Sequence, residues 1–167
     1  MSDLTVDALF RHAFLFREAL VRSARKGVSL PTLRDFPRGS CADASLLLAK
    51  HLQEKGWGAA FLVVGERRGQ RHAWLGLLDV IIDITADQFE DQPCTVIVST
   101  ESSWHSTFNG QVSGVADFCL YAPASAFALA AAYEAITGAM AGIAGCEDAG
   151  RGEEVVKEEA APLSGGK

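Results

Sequence analysis

The sequence predicts an α+β fold in which N-terminal helices pack on a small, mainly antiparallel sheet. Residues 4–55 carry apolar side chains at helical spacing, interrupted by one loop. Residues 61–98 instead hold short apolar runs separated by glycines and polar residues, as strands do. The links between these runs are too short for the crossovers that parallel strands require, which favours antiparallel pairing.

Two helices are predicted ahead of the sheet. Over residues 4–26 the charges run from acidic to basic and a glycine follows, an order that suits the helix dipole and a helix stop. Residues 28–40 contain two prolines and a glycine, which indicates a loop. The second helix is predicted to start at Ser40 or Cys41 and to end at Lys55, before Gly56.

The rest of the chain divides into strands, a loop, a helix and a tail. Strands are predicted at 61–64, 72–77, 80–84 and 95–98, a long polar loop at 99–114, and an alanine-rich helix at 124–137. From Gly138 onward no amphipathic pattern is present. We therefore expect a single domain over residues 1–137 and a flexible or disordered charged tail over 138–167.

One histidine and one aspartate stand in the apolar stretch RHAWLGLLDVIIDIT, residues 71–85. If 72–77 and 80–84 form a hairpin that turns at residues 78 and 79, all the residues of one face are apolar. The other face collects His72, Trp74, Gly76, Ile81 and Asp83. In this register His72 and Asp83 are diagonal neighbours, close enough for a hydrogen bond between their side chains. A histidine oriented by a carboxylate is half of a nucleophilic triad.

A nucleophile that could complete the triad is Cys41, in the stretch FPRGSCADASLLL. At the first turn of a helix, the helix dipole and unpaired backbone N–H groups favour a thiolate. The backbone N–H of Cys41 could also donate to an oxyanion. Gly39 allows a sharp turn just before it.

Composition limits the function classes. The net charge of −6 argues against a nucleic-acid-binding protein, which would normally be basic. The four cysteines form no C-x-x-C pair, which disfavours a zinc site or disulfide framework and suits a reducing compartment. The N-terminus lacks the features of a signal peptide, and no apolar run reaches the ~20 residues of a membrane span. We expect a cytoplasmic protein with no membrane partner, non-classical export as an effector being the alternative.

At these residues the sequence resembles the transglutaminase-like branch of the papain-like cysteine enzymes. That pattern places G-x-C at a helix start, then H-A-W in a strand, then D-x-T. Here it reads Gly39-Ser40-Cys41, His72-Ala73-Trp74 and Asp83-Ile84-Thr85. The segment from Cys41 to Trp74 also resembles the bacterial peptidases that process lasso-peptide precursors. The match covers about 50 residues of the 167.

The resemblance implies a papain-like or transglutaminase-like core and thiol-dependent acyl transfer without a cofactor or metal. Cys41 would attack an amide-type bond of a peptide or protein, His72 would move the proton, and Asp83 would orient the imidazole. The acceptor is open between water (peptidase, amidase or deamidase) and an amine. Papain-like proteases place a glutamine shortly before the cysteine, whereas the first glutamine here is Gln53. Gln88 is therefore the candidate for the second oxyanion donor.

Four alternatives accompany this interpretation. Trp74 either walls the acyl pocket or packs in the core, and His105, on the predicted loop, is either a substrate contact or a surface residue. A protein with this fold could be a non-catalytic binding or scaffold protein, for which the missing upstream glutamine is the best support. A metal site using Cys41, His72, Asp83 or His105 has little support from the spacing of these residues.

Overall fold

The structure, a computed structural model, describes residues 3–149, with side chains described over residues 5–143. Its helices are α1 (Asp3–Arg25), α2 (Cys41–Glu54), α3 (Ser103–Ser106), α4 (Phe118–Tyr121) and α5 (Ala126–Ala149). Its strands are β1 (Phe61–Arg67), β2 (Gln70–Leu77), β3 (Val80–Asp83), β4 (Ile97–Ser99) and β5 (Gln111–Val115). The fold is α+β, and the two N-terminal helices lie where the sequence predicts them.

One five-stranded sheet, in the order β4-β3-β2-β1-β5, organises the described part of the chain. All neighbouring strands in it are antiparallel, as predicted. The inner face is apolar, and Leu62, Leu75 and Ile82 from three adjacent strands are almost fully buried there. α2 packs against β2, and α1 packs against α5, so the main hydrophobic core lies between the sheet and the helices.

The hairpin of β2 and β3 has the predicted register, with Leu77 opposite Val80 and Leu75 opposite Ile82. Leu78 and Asp79 form its two-residue turn, with φ of 50° and 63°. Positive φ at both central residues is the geometry that fits the right-handed twist of the flanking strands. His72 and Asp83 therefore share the outer face of the sheet, away from the main core.

The prediction of a long loop over 99–114 is wrong. This segment contains the single-turn helix α3 and the edge strand β5. β5 pairs with β1 along one side only, and most of its residues are exposed. It therefore lacks the alternation of apolar and polar residues by which a half-buried strand is recognised. The predicted strand at 95–98 is shifted to Ile97–Ser99.

The predicted boundary at residue 138 is also wrong, because α5 continues to Ala149. The sequence predicts a tail because no amphipathic pattern is present from Gly138 onward, and each glycine there lowers helix stability by about 1 kcal/mol relative to alanine. Met140 and Ile143 nevertheless pack against the core and support the helix. Residues 150–167 of the predicted tail lie outside the described residues.

Residues 123–143, which include most of α5, are long and apolar enough to cross a membrane by length and composition, with a mean hydropathy of 1.4. About a fifth (22%) of the most apolar window is buried within the structure. α5 packs along α1. The absence of a membrane partner stays a prediction.

Candidate active site

The hairpin brings His72 and Asp83 into direct contact on the outer face of the sheet. His72 Nε2 lies 2.6 Å from Asp83 Oδ2, and both side chains are fully buried. The other oxygen, Oδ1, accepts from the backbone N–H of Thr85 at 2.8 Å and from its hydroxyl at 3.1 Å. An ionised carboxylate can only accept, so His72 donates from Nε2 and leaves Nδ1 to face the rest of the site.

Opposing effects set the charges of this pair. Burial by itself lowers the pKa of His72, but hydrogen bonds with Asp83 and Cys41 and the negative charges of both groups raise that pKa to about 9. Burial by itself raises the pKa of Asp83, but hydrogen bonds from His105 and His72, the charge of His72 and the backbone N–H of Thr85 hold it well below its usual range. At neutral pH the pair is therefore imidazolium and carboxylate.

Cys41 is the first residue of α2, and its half-buried thiol is free. Its interaction with the ring of His72 is one cause of the raised pKa of that histidine. Gly39, at φ +69°, makes the turn into the helix. Ser40 does not cap the helix, because its hydroxyl donates to the carbonyl of Pro37 at 2.7 Å. The N–H groups of the first turn are thus left without a side-chain acceptor.

Gln88, the candidate for the second oxyanion donor, lies beside the dyad that His72 and Asp83 form. Its Nε2 is 3.3 Å from His72 Nδ1 and donates to the carbonyl of Thr85 at 3.0 Å. The loop that carries Gln88 is held by Arg17 of α1, which donates to the carbonyl of Ile84 and forms a two-pronged ion pair with Asp87, at 3.0 and 2.7 Å. Asp87 is therefore paired with Arg17 and does not contact His72.

His105 is buried, with 2% of its surface exposed, and does not lie on an exposed loop as expected for a substrate contact. Its Nε2 lies 3.0 Å from Asp83 Oδ2, the same oxygen that His72 contacts. Its Nδ1 is 2.7 Å from the hydroxyl of Ser102, which also caps α3. Asp83 thus joins two imidazoles. The S-x-x-H spacing of a capped turn was the only sequence signal for this arrangement.

A second cluster of aromatic side chains covers the His72 ring on the outer face of the sheet. The ring centroids of Trp74, Phe89, Trp104 and Phe108 lie 5.0 to 5.6 Å from that of His72. Trp74 is 4% exposed and packs in this cluster, which matches the core-packing alternative. The aromatic cluster excludes water from the ring of His72, a residue that is 1% exposed.

The grouping of His72, Asp83 and His105 also raises the question of a metal, since one donor atom of each lies within 4.8 Å of the others. Donor atoms about 2.0–2.2 Å from a tetrahedral zinc stand roughly 3.3 Å apart. Here the two ring nitrogens lie 2.6 and 3.0 Å from the same carboxylate oxygen, which are hydrogen-bond distances. We therefore interpret the group as a hydrogen-bonded charge network.

Two cavities bear on where a substrate could enter. A cleft of about 490 Å³ is lined by Arg38, Arg67, Arg68 and Gln88, among others, and so adjoins the dyad. A separate cavity of about 470 Å³ lies between α1, α2 and α5. In it Tyr133 donates to Glu54 at 2.6 Å. The first cleft is the one of these two that lies next to the candidate site, because its lining residue Gln88 lies 3.3 Å from His72 Nδ1.

Comparison with protein-family models, with curated proteins and with solved structures gives no match for this chain. The resemblance to the transglutaminase-like enzymes therefore depends only on the three motifs around Cys41, His72 and Asp83.

Proposed function

We propose that this protein is a thiol-dependent acyl-transfer enzyme with a papain-like or transglutaminase-like core, acting on a peptide or protein. Cys41 is the nucleophile, His72 the general acid and base, and Asp83 the residue that orients the imidazole. The observation that carries the proposal is the buried 2.6 Å contact between Asp83 and His72, and an interaction with Cys41 is one cause of the raised pKa of that histidine.

In the first step, the imidazolium of His72 favours the thiolate of Cys41, which attacks the carbonyl carbon of an amide. The backbone N–H of Cys41 and the side-chain amide of Gln88 donate to the oxygen that becomes negative. His72 then gives its Nδ1 proton to the leaving amine as the carbon–nitrogen bond breaks. The product of this step is a thioester on Cys41.

In the second step, water or an acceptor amine loses a proton to Nδ1 of His72 and attacks the thioester carbon. The carbon–sulfur bond breaks, and the acid or the new amide leaves. Asp83 stays ionised throughout, because it accepts four hydrogen bonds and each of them favours the charged carboxylate. Each step uses only groups of this chain and its substrates.

The reactivity of the thiols tests the nucleophile. Cys41, Cys94 and Cys119 are all free, and the last two are exposed, so they serve as internal controls. Alkylation with iodoacetamide at pH 5 to 9, followed by peptide mapping, should modify Cys41 at a lower pH than either control. Equal pH profiles for the three thiols would instead favour the scaffold alternative.

A second experiment asks whether the thiol forms an acyl intermediate. An electrophilic acyl probe should label the wild-type protein at Cys41 and should label the Cys119→Ala variant equally well. The Cys41→Ala and His72→Gln variants should not be labelled, although both should give the far-ultraviolet circular dichroism of the wild type. Labelling that survives in Cys41→Ala would contradict the proposal.

A further inference from the structure

The cleft that adjoins the dyad has an unusual charge for an acidic chain. Arg38, Arg67 and Arg68 line it, together with Gln88, Glu90 and Asp91. The chain as a whole carries a net charge of −6. A group of arginines in one cleft makes the local potential there more positive than the net charge of the chain suggests.

One of the three arginines is already committed to the fold. Arg67 forms a two-pronged ion pair with Asp91, at 2.7 and 2.9 Å, and lies 4.4 Å from the ring centre of Phe108. Its charge is thus balanced, and its side chain closes the cleft against the aromatic cluster around His72. Arg67 therefore forms a wall of the cleft.

The other two arginines are available for a ligand. Arg38 and Arg68 are exposed, and over residues 5–143 neither forms an ion pair with an acidic side chain. Glu90 is the one acidic lining residue left to offset them. By contrast, Arg71 on β2 stands opposite Glu66 on β1, an ordinary cross-strand charge pair.

The cleft also has a direct connection to the reacting groups. Arg38 lies in the turn that leads into Cys41, and Gln88 reaches from the cleft to within 3.3 Å of His72 Nδ1. A carboxylate bound by Arg38 or Arg68 would therefore belong to a substrate whose acyl group is within reach of the thiol. Guanidinium groups bind carboxylates with two parallel hydrogen bonds, which adds geometric selection to the attraction.

We propose that this cleft binds an acidic segment of the substrate, with Arg38 and Arg68 pairing with carboxylates next to the bond that is cleaved. The inference rests on the proposed function of Cys41. An exposed ion pair changes binding by about threefold, so the loss of both arginines should cost about tenfold.

Two alkylating agents of similar size test the field without a known substrate. Iodoacetate carries a negative charge and iodoacetamide is neutral. The rate of iodoacetate at Cys41 divided by the rate of iodoacetamide therefore reports the local potential, because the ionised fraction of the thiol cancels in this ratio. The ratio should fall about tenfold in an Arg38→Gln/Arg68→Gln double variant at low ionic strength. The Arg25→Gln variant, which removes the same kind of charge from the end of α1, should keep the wild-type ratio.

An unchanged ratio in the double variant, or an equal fall in Arg25→Gln, would overturn the inference while leaving a reactive Cys41 and the proposed function intact. If Cys41 is no more reactive than Cys94 and Cys119, the proposed function fails instead.

A binding measurement then tests the acidic preference of the cleft independently of the reactivity of the thiol. A fluorescein-labelled Gly-Glu-Glu-Glu-Gly peptide should bind Cys41→Ala at least fivefold more tightly than its glutamine counterpart, as measured by fluorescence anisotropy. Arg38→Gln/Arg68→Gln in the same background should remove the difference. Equal binding of the two peptides would refute an acidic preference.

Discussion

Replacing Asp83 by asparagine tests the charge network with almost no change in side-chain shape. The carboxylate accepts four hydrogen bonds, from Nε2 of His72 and of His105 on one oxygen and from two groups of Thr85 on the other. Asparagine has one oxygen and one NH₂ group. Its NH₂ must face either the two imidazole N–H groups or the two Thr85 donors, so two buried donors lose their acceptor.

The expected cost follows from these contacts. A hydrogen bond to a charged group contributes about 1.5–3 kcal/mol, and removing one partner of a buried charge pair costs about 3–5 kcal/mol. We expect Asp83→Asn to lower the free energy of unfolding by about 4 kcal/mol at pH 7. Because the tautomer of His72 is no longer fixed, kcat should fall by a factor on the order of 10³–10⁴.

Urea denaturation at pH 7, followed by tryptophan fluorescence, measures this cost. Asp79→Asn is the matched control, since Asp79 is an exposed turn residue at φ 63°, a conformation that asparagine adopts readily. The control should stay within about 0.5 kcal/mol of wild type. A loss below about 1 kcal/mol in Asp83→Asn would refute the claim that four donors depend on one buried charge.

Three further predictions concern the same region. Because the pKa of His72 is raised to about 9, the stabilisation that its protonated ring gives the fold is complete below pH 6.5 and is lost as the pH rises through 9. The free energy of unfolding, measured by urea titration, should therefore fall by roughly 3 kcal/mol between pH 6 and 9.5. A free energy of unfolding that does not change over this range would contradict the prediction. His105→Gln should lower kcat about tenfold with little change in KM and shift the alkaline limb of the pH–rate profile, whereas an unshifted limb would mean a purely structural role. Gly65→Ala should lower the free energy of unfolding by about 2–3 kcal/mol in thermal denaturation, since the new Cβ would lie 2.6 Å from the backbone oxygen of Phe108. Gly138→Ala, whose Cβ would have nothing within 4 Å, should instead stabilise α5 by up to about 1 kcal/mol. Similar values for the two variants would be inconsistent with this packing.

The hairpin could be predicted from the sequence because its two faces differ so strongly. A one-residue slip would have placed His72 and Asp83 in the apolar core, so only one register satisfies both the turn and the burial of the strands. The same contrast predicts that the two residues lie together. The helix start at Cys41 was predictable for a similar reason, since a loop with prolines and glycine ends where the apolar spacing begins.

The second histidine could not be predicted in its observed place. His105 belongs to a single helical turn, which is too short to show any periodicity, and apart from Trp104 the residues next to it in sequence are polar. Its burial depends on the aromatic cluster, in which the ring centre of Trp74, from strand β2, lies 4.8 Å from that of His105. Such a contact is a product of tertiary packing, and local sequence pattern carries no record of it.

Arg17 connects helix α1 to the candidate active site, although α1 contributes no residue of the proposed triad. Its guanidinium fastens the short stretch between Ile84 and Asp87, and the amide of Gln88 is carried on the end of that stretch. Replacing Arg17 alone would therefore loosen the stretch that carries Gln88 without removing any of the fully buried apolar side chains by which α1 packs in the core. In the proposed mechanism such a protein would become acylated more slowly, because the Gln88 amide would no longer be held beside His72.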